Sequence, residues 1–467
     1  MTHVPEDILH RLRQHGQEHL VYGWDVLSDT HRLALVGQLA GLNFVELTQL
    51  FAKKNEKQAA LPDRERIAAI PVEDGDSLPS SAVAHGEAAL KAGEIAVLVV
   101  AGGQGTRLGF DKPKGMYPVG PVSNASLFQI HAEKVLALSR RYGKPVPFLV
   151  MTSTATHADT ESYFREHQFF GLHPWQVTFF QQGTMPAVDI ETGKVLLEAP
   201  GTLFLSPNGH GGTLTALADT GLLSDLKTRG VKHVFYFQVD NPLVNVADPG
   251  FVGRHIETGS EATSRVVFKE RPEEKVGILA LVDGKCSILE YSDMPAEMQA
   301  EREADGTLRY RAGNPAIHVF SVPFLERVTS GADRLPFHLA RKKVPYFDPA
   351  TGAQITPTKE NALKFELFVF DALPLAIQWL AVSAKREDEF GPLKNATGTD
   401  SPETCRQLQV NRFGRWLSAA GVKVPTEAAG NATVPIEISP LFALDAGQVA
   451  DKVDPTLPIT GPTLLSE

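Results

Sequence analysis

The sequence predicts an α/β protein with a mixed, mostly parallel central sheet, a helical N-terminal region and a small C-terminal α+β domain. Continuous apolar runs alternate with helical patterns between residues 95 and 239, which is typical of parallel strands covered by helices on both faces. Shorter strands with turns such as Asp283-Gly284 follow and indicate an antiparallel extension of the sheet. After Lys385 the composition changes to a loop rich in charge, Gly and Pro, which marks a separate C-terminal part.

The chain of 467 residues is too long for one core, and we expect three domains at residues 1–92, 93–385 and 386–467. Leucines at helical spacing predict helix across residues 5–60, and a further helix is expected at Ser81–Ala92. The predicted strands are Val97–Val100, Val146–Thr152, Val177–Phe180, Val231–Val239 and, near the C-terminus, Val434–Ile438. The remaining predicted helices are Leu127–Leu138, Asp159–His167, Thr213 toward Leu226, Ala362–Ala384 with a kink at Pro374, and Cys405–Ala420.

The composition is that of an ordinary globular protein, with 43% hydrophobic and 21% charged residues. A formal net charge of −10 disfavours a nucleic-acid partner. We expect no membrane partner, because no apolar run approaches the roughly 18 residues that span a bilayer. The N-terminus is polar, and the two cysteines, Cys286 and Cys405, give neither a disulfide framework nor a zinc motif. We therefore expect a cytoplasmic protein; its oligomeric state stays open.

A glycine-rich turn follows the first apolar run, in the segment IAVLVVAGGQGTRLGFDKPKG from Ile95 to Gly115. Glycine lets backbone N–H groups approach anionic oxygens, and Arg107 and Lys114 supply cations, so the turn predicts a phosphate site. A Walker A loop is excluded because Lys114 precedes its glycine. The dinucleotide fingerprint, and with it a dehydrogenase, is disfavoured because Leu108 stands where that motif needs glycine.

Two further segments belong to the same predicted sheet. Strand Val231–Val239 ends at Asp240-Asn241, and ligands of doubly wound sheets bind at the carboxyl ends of strands. Alone, Asp240 would more often be a turn residue; beside a phosphate loop, it is a candidate Mg²⁺ ligand. The segment SPNGHGGT, from Ser206 to Thr213, lets backbone wrap a flat ligand, and His210 either contacts that ligand or caps the next helix.

These residues carry a family resemblance that runs through most of the chain. The matching segments, in the family's order, are AGGQGTRLGFDKPKGM, FFQQGTMPA, SPNGHGG, FQVDNPLVNVADP, ILEYSDMP, RAGNPAIHVF, HLARKKVPYFD, LKFELFVFDALP and EFGPLKNATGTDSPET. The sequence resembles the eukaryotic-type UDP-sugar pyrophosphorylases, most of all their UDP-N-acetylglucosamine branch. The resemblance implies a Rossmann-like, GT-A-like nucleotidyltransferase that uses Mg²⁺ to transfer uridylyl from UTP to a sugar 1-phosphate, giving a UDP-sugar and pyrophosphate.

The resemblance also implies roles for individual residues. Catalytic cations that hold phosphate oxygens would be Arg107, Lys114 and Lys394, and Asp240 would bind the metal. Nucleotide contacts are expected at Ala101, Gly102, Gly103, Gln104, Gly105, Thr106, Gln182, Gly209 and His210, with Gln182 and Gly209 at the uracil edge. Sugar-side contacts are expected at Gly277, Glu290, Asn314 and Lys364, with Lys364 close to phosphate oxygens.

Three departures from the branch concern the choice of sugar. His210 stands where the N-acetylglucosamine branch usually has asparagine and the glucose and broad-specificity branches have histidine; Asn208 replaces an aspartate, and NPAIH replaces N-I-x-N-H. N-acetylglucosamine 1-phosphate is the expected acceptor, and glucose 1-phosphate or several sugars is the alternative. A noncatalytic nucleotide-sugar sensor is a further alternative, disfavoured because it would need none of Asp240, Arg107 and Lys114.

Overall fold

The computed structural model describes residues 3–55, 61–330 and 334–467. Its helices α1 to α14 are, in order, Glu6–Gln14, Asp29–Ala40, Phe44–Ala52, Ser80–Ala92, Leu127–Tyr142, His157–Glu166, Gly212–Asp219, Leu222–Thr228, Pro249–Glu257, Ala296–Gln299, Val322–Thr329, Arg386–Glu389, Pro402–Ala419 and Ala446–Lys452. Its strands β1 to β22 are Ile67–Ala69, Ile95–Val100, Phe148–Thr152, Val177–Gln181, Thr184–Pro186, Val188–Asp189, Leu197–Ala199, Thr202–Leu203, Leu205–Pro207, His233–Gln238, Ala262–Phe268, Ile278–Val282, Lys285–Leu289, Ala312–Gly313, His318–Ser321, His338–Lys342, Tyr346–Asp348, Ala353–Ile355, Ala362–Glu366, Trp379–Ala384, Ile436–Ile438 and Thr463–Leu465.

The chain divides into two compact units whose segments interleave along the sequence. The first unit is Met1–Ala60, Gln182–Gly212 and Leu335–Val369, and the second is Leu61–Gln181, Thr213–Arg334 and Phe370–Glu467. These boundaries differ from residues 92 and 385, because the helical N-terminal residues make their contacts with segments that come much later in the chain. The three-domain division therefore stays a prediction.

The first unit packs α1–α3 with small antiparallel sheets. Strands β16, β19 and β6 form one sheet, and β18, β17, β7 and β8 form another. Leu12, Leu35, Leu47, Val188 and Phe365 share its buried core. The predicted helical character of residues 5–60 is confirmed as far as Asn55; residues 56–60 lie outside the described part.

The second unit is built on a mixed sheet with the order β1-β12-β14-β11-β15-β10-β2-β3-β4, in which β13 also pairs with β12 and β20 with β11. Strands β10, β2, β3 and β4 run parallel, whereas β15 pairs antiparallel with both β10 and β11. Strands β2 and β3 are buried along almost their whole length, as is typical of parallel strands covered by helices on both faces of the sheet. The predicted α/β class with a mixed central sheet and an antiparallel extension is confirmed. The sheet is less parallel than expected, because six of the ten pairings between its described strands are antiparallel.

The C-terminal part of the second unit has its own small core. Helix α13 begins with a capping box at Ser401 and packs against β21 and α14. Leu417, Val422, Ile436 and Val449 are buried together there. The predicted helix at Cys405–Ala420 and a strand at Val434–Ile438 are confirmed with slightly different ends.

The helix predicted over Ala362–Ala384 is wrong. The chain instead forms strand β19, a 3₁₀ helix at Val369–Leu375 that contains Pro374, and strand β20. Strand β19 hydrogen-bonds to β16 and β6, and β20 pairs in parallel with β11. Pairing with distant strands outweighed the helical spacing of apolar residues in this segment. Buried and partly exposed side chains alternate along most of β19, as they do in a strand.

The helix predicted from Thr213 toward Leu226 is interrupted. It ends at Asp219, and α8 begins after Gly221, whose φ of +75° is incompatible with a continuous helix. Among the described residues, no single helix is long and apolar enough to span a membrane; the bent pair Asp29–Gly41 and Phe44–Asn55 meets that length and composition only jointly.

Helices α4 and α9 pack so closely that glycine is required at their contact. A Cβ atom on Gly253 would lie 1.6 Å from the Ala82 carbonyl oxygen, and one on Gly86 would lie 2.0 Å from the Pro249 carbonyl oxygen. Because α4 leads into β2 and α9 follows the loop after β10, this contact helps to position both strands.

We expect Gly253→Ala to lower the free energy of unfolding by about 1–3 kcal/mol, because its methyl group pushes backbone apart. Gly250→Ala in the same helix is the matched control: its Cβ would find its nearest neighbour at 3.4 Å. That control should be neutral or stabilise by up to about 1 kcal/mol. Urea unfolding followed by circular dichroism measures both, and equal losses would contradict the close helix contact.

Candidate functional site

The glycine-rich loop after β2 is a narrow turn held by its own backbone. Gly105 N–H donates to the Lys112 carbonyl at 2.9 Å, and Lys114 N–H donates to the Gly103 carbonyl at 3.0 Å. A Cβ on Gly105 would lie 2.7 Å from the Phe110 ring, so the turn closes only with glycine there. The loop follows the carboxyl end of β2, as predicted for a phosphate site.

Neighbouring residues fasten this loop to the end of β3. Ser153 Oγ donates to the Gly102 carbonyl at 2.8 Å, and Gln104 Nε2 donates to the Ala155 carbonyl at 3.2 Å. Thr106 and Arg107 begin a 3₁₀ turn, and the Arg107 side chain is exposed to solvent. The loop therefore has a fixed backbone and one cation that can move.

The structure brings Lys114 and Asp240 together. Strand β10 lies parallel to β2 in the sheet, with Gln238 opposite Val100, so Asp240 follows the same edge as the glycine loop. Lys114 Nζ lies 3.3 Å from Asp240 Oδ2, and their side chains are only 18% and 12% exposed. A cation and a carboxylate thus share a sheltered position at the carboxyl ends of adjacent strands.

Lys394 belongs to a segment that is tied to the same loop. Leu393 N–H donates to the Asp240 carbonyl at 2.8 Å, and Lys394 N–H donates to the Asp400 carbonyl at 2.7 Å. Burial raises the pKa of the Asp400 carboxyl, and the positive charge of Lys394 opposes that rise. Asn241 secures the preceding residues, because its amide bonds both the Glu389 carbonyl and the Gly391 N–H.

Three side chains that sequence reasoning missed hold the carbonyls around Asp240. His131 Nε2 donates to the Val239 carbonyl at 2.9 Å, Lys134 Nζ donates to those of Pro242 and Val244 at 2.5 and 2.8 Å, and Arg412 donates to that of Leu243 at 2.6 Å. Burial, helped by the charge of Lys134, lowers the pKa of His131 to about 3, so its ring is neutral. The available signal was the three-residue spacing of His131 and Lys134, which puts both on one face of α5.

The predicted sugar-side residues Gly277, Glu290 and Asn314 lie together in the antiparallel half of the sheet. Asn314 N–H donates to the Gly277 carbonyl at 2.9 Å, and a Cβ on Gly277 would lie 3.4 Å from Glu290 Oε1. Burial raises the pKa of Glu290, and the nearby charge of Asp293 raises it further. These three residues place a partly buried carboxyl beside two other partly exposed residues.

The first unit contains the other predicted contacts, at Gln182, Gly209, His210 and Lys364. Gly209 has φ of +83°, and its Cβ would lie 2.4 Å from the Leu367 carbonyl, so the loop needs glycine there. Val369 N–H donates to His210 Nδ1 at 3.2 Å, which leaves His210 Nε2 to carry the proton of the neutral ring.

The remaining two residues of that unit are sheltered rather than exposed. Gln182 is buried. Lys364 Nζ lies 5.1 Å from the centre of the Phe204 ring, and burial lowers its pKa. A lysine in this state gains from an anionic ligand, because such a ligand replaces lost hydration.

The donor set around Asp240 fits a magnesium ion that takes most of its ligands from phosphate and water. Within residues 3–55, 61–330 and 334–467, no group of three or more His, Cys, Asp or Glu side chains is arranged to hold a metal. Mg²⁺ in phosphate-transfer sites is usually held by one or two carboxylates and keeps several waters. A single sheltered carboxylate beside a phosphate loop matches that mode.

Comparisons with curated proteins agree with the motifs. A family model described as UTP–glucose-1-phosphate uridylyltransferase matches residues 42–399. The chain is 37% identical over 431 residues to the UDP-N-acetylglucosamine pyrophosphorylase of Saccharomyces cerevisiae, covering 88% of this chain and 90% of the yeast protein. It is 39% identical over 439 residues to the human UDP-N-acetylhexosamine pyrophosphorylase-like protein 1, covering 90% and 86%.

Solved structures give the same result for the fold. The uridine diphosphate N-acetylglucosamine pyrophosphorylase of Trypanosoma brucei superposes with a TM-score of 0.81 at 27% identity, covering 99% of this chain and 98% of that one. A UDP-glucose pyrophosphorylase of Leishmania major shares the fold with a TM-score of 0.65 at 18% identity, covering 88% and 85%. The predicted resemblance is confirmed, and the chain belongs to the UTP–glucose-1-phosphate uridylyltransferase family.

Proposed function

We propose that this protein transfers uridylyl from UTP to N-acetylglucosamine 1-phosphate and releases pyrophosphate. The observation that carries the proposal is the pairing of Lys114 with Asp240 beside the glycine loop, in a chain of this family. The sugar follows from similarity, since relatives 34–39% identical over most of the chain are named for N-acetylglucosamine or N-acetylhexosamine. At the carboxyl ends of β2 and β10, the lysine can attract the phosphate groups of the two substrates and the carboxylate can bind a metal cation.

The chemistry needs charge neutralisation more than proton transfer. A sugar 1-phosphate has a second pKa of about 6, so its attacking oxygen is ionised near neutral pH without a general base. The oxygen must approach the α-phosphate of UTP in line, against the repulsion of two polyanions. Lys114, Arg107 and Lys394 are the cations we assign to this task.

Asp240 is the residue we assign to hold magnesium. When bound there, the ion supplies positive charge to the phosphate oxygens. Lys114 Nζ lies 3.3 Å from Asp240 Oδ2. The ammonium group of Lys114 is therefore preorganised at the place where phosphate charge will accumulate. Hydrogen bonds to the surrounding carbonyls hold Asp240 in place when charges around it change. Their donors are His131, Lys134 and Arg412.

The sugar and base contacts are assigned to the residues predicted for them. Glu290 accepts hydrogen bonds from sugar hydroxyls beside Gly277 and Asn314, and the backbone of residues 101–106 holds the nucleotide. Gln182 and Gly209 read the uracil edge, and Lys364 serves a phosphate oxygen. The structure supports three of these assignments: Gln182 is buried, Glu290 is partly buried, and Gly209 has a backbone conformation that favours glycine.

Glucose 1-phosphate, or several sugars, is the second candidate acceptor. The observation in its favour is His210, which stands where the glucose and broad-specificity branches carry histidine. We also propose a cytoplasmic location, which suits two free cysteines that are buried. Burial raises the pKa of both thiols to about 12 and keeps them unreactive.

A matrix of four nucleotides against several sugars tests the function directly. Pyrophosphate release is measured with UTP, ATP, GTP and CTP, each combined with N-acetylglucosamine, N-acetylgalactosamine, glucose and galactose 1-phosphates. We expect the highest kcat/KM for UTP with N-acetylglucosamine 1-phosphate. A preference for glucose 1-phosphate would establish the second candidate, and UDP-sugar binding without any turnover would establish the sensor.

Lys114→Ala should lower kcat by about 10²–10³, the usual loss when one preorganised donor to developing charge is removed. Lys112→Ala is the control, because Lys112 is two residues away and exposed. Circular dichroism of both variants shows whether the fold persists. A folded Lys114→Ala protein with the turnover of the native enzyme would remove Lys114 from the mechanism.

Asp240→Asn should raise the Mg²⁺ concentration for half-maximal activity by about tenfold or more, because a neutral amide is a weaker ligand for a hard cation. Mn²⁺ binding, followed by electron paramagnetic resonance in the presence of UTP, gives a readout independent of turnover. Asp111→Asn, an exposed carboxylate near the same loop, should leave both titrations unchanged. Identical titrations for Asp240→Asn and the native enzyme would refute the metal role.

A further inference from the structure

A cavity of about 240 Å³ lies behind the loop that follows Asp240. Its walls come from α5, from residues 242–249, and from α13 and the chain around α14. Most of the lining is apolar, with Ile130, Leu138, Phe413 and Trp416 as the large contributors. None of the residues assigned above to nucleotide, sugar or metal lines this cavity, which we name the α5–α13 cavity.

Two cations that line the α5–α13 cavity have no carboxylate hydrogen-bonded to them in the described part of the chain. Lys134 donates to the carbonyls of Pro242 and Val244, and Arg412 to the carbonyl of Leu243 and the side chain of Asn245. Burial lowers the pKa of Lys134 well below its usual value, and the charge of Arg412 adds to this effect. Carbonyl and amide oxygens are neutral acceptors, so they replace only part of the hydration that burial removes from Lys134 and Arg412.

Polar atoms at the same walls are also unsatisfied. Arg412 is 4% exposed and its Nε has no hydrogen-bond partner among the described residues, and the same holds for the Tyr142 hydroxyl, on a residue 8% exposed. Buried polar groups are nearly always paired, with protein, water or ligand. Two unpaired groups around one cavity indicate a missing acceptor.

The carboxylates of the cavity wall do not supply that acceptor, and each of them accepts from other donors. Asp248 is paired with Arg265, Asp388 with Arg415 and Asp445 with Arg141, and Glu437 accepts from Val122 and Ser123. Glu389 accepts hydrogen bonds from Asn245, and burial raises the pKa of the Glu389 carboxyl. Its negative charge acts to raise the pKa values of Lys134 and Arg412. None of these carboxylates accepts a hydrogen bond from Lys134 or Arg412 within the described residues, so both side chains donate to neutral oxygens alone.

We propose that the α5–α13 cavity is a second ligand site, which binds a small organic molecule with an apolar body and one carboxylate. The carboxylate lies toward Lys134 and Arg412, and the body packs against Phe413 and Trp416. A polyanion such as a nucleotide does not fit this description, because Asp248, Asp388 and Glu437 border the same space. One carboxylate on the ligand supplies the acceptor that Arg412 Nε and the Tyr142 hydroxyl lack.

Fluorine NMR of the full-length protein with simple probes tests the site. The anionic probes are 4-fluorobenzoate, 4-fluorophenylacetate and 4-fluorocinnamate; 4-fluorophenylacetamide and 4-fluorobenzylamine are the neutral and cationic matches. We expect at least one carboxylate to bind, and the amide and amine to bind at least tenfold more weakly. Saturating UTP with Mg²⁺, and separately N-acetylglucosamine 1-phosphate, should leave the bound fraction unchanged.

Variants locate the bound probe. Ala446→Leu places extra volume on the cavity wall, and Ala450→Leu makes the same change on an exposed position of the same helix. We expect Ala446→Leu and Lys134→Met each to weaken carboxylate binding at least tenfold, and Ala450→Leu to leave it unchanged. Circular dichroism confirms that each variant is folded.

Several results would overturn the proposal. They are absence of binding by all three carboxylates at 5 mM, equal binding of the amide, displacement by UTP or by the sugar phosphate, and full binding by folded Ala446→Leu protein. None of these measurements uses turnover, so they are independent of the uridylyltransferase assay. A protein that fails the substrate matrix but binds carboxylate here would keep this site and lose only the proposed reaction.

Discussion

The parallel pairing of β2 with β10 is the constraint on which the candidate site depends. Its register puts the end of the glycine loop and Asp240 at one edge of the sheet, and Lys114 then reaches Asp240 Oδ2. A shift in the register of β10 would move Asp240 along the strand direction relative to Lys114 and break the ion pair. Charge can be concentrated there because backbone hydrogen bonds fix both strands, so little reorganisation is needed when phosphate arrives.

Buried side chains that donate hydrogen bonds to carbonyls extend this rigidity to the loop after β10. His131, Lys134 and Arg412 each donate to backbone oxygens between Val239 and Val244, so two helices brace a loop that has no regular structure of its own. A carboxylate partner would have replaced more of the hydration that Lys134 and Arg412 lose on burial. Backbone carbonyls are neutral acceptors, so these two side chains brace the loop at a cost in desolvation free energy.

The sequence allowed the phosphate loop and Asp240 to be predicted, because glycines, cations and a strand-terminal carboxylate are local signals. It did not allow the brace to be predicted, since Lys134 and Arg412 look like ordinary solvated charges until the fold brings α5 and α13 to one loop. The helix prediction for residues 362–384 was wrong for a related reason. Strands β19 and β20 form because they pair with strands that lie far away in the chain. Gln182 and Lys364 were found only through the family's motifs, as their neighbours give no local pattern.

The switch from parallel to antiparallel pairing at β15 gives the two halves of the sheet different chemistry. Parallel strands end together, so the β10–β2–β3 edge gathers backbone N–H groups and charge suited to phosphates. Antiparallel strands place turns such as the one before Gly277 beside a neighbour's end, which leaves Glu290 partly buried with a raised pKa. In the proposed function, a partly buried carboxyl at this place suits sugar hydroxyls better than phosphates, because it accepts hydrogen bonds from hydroxyl groups and would repel an anion.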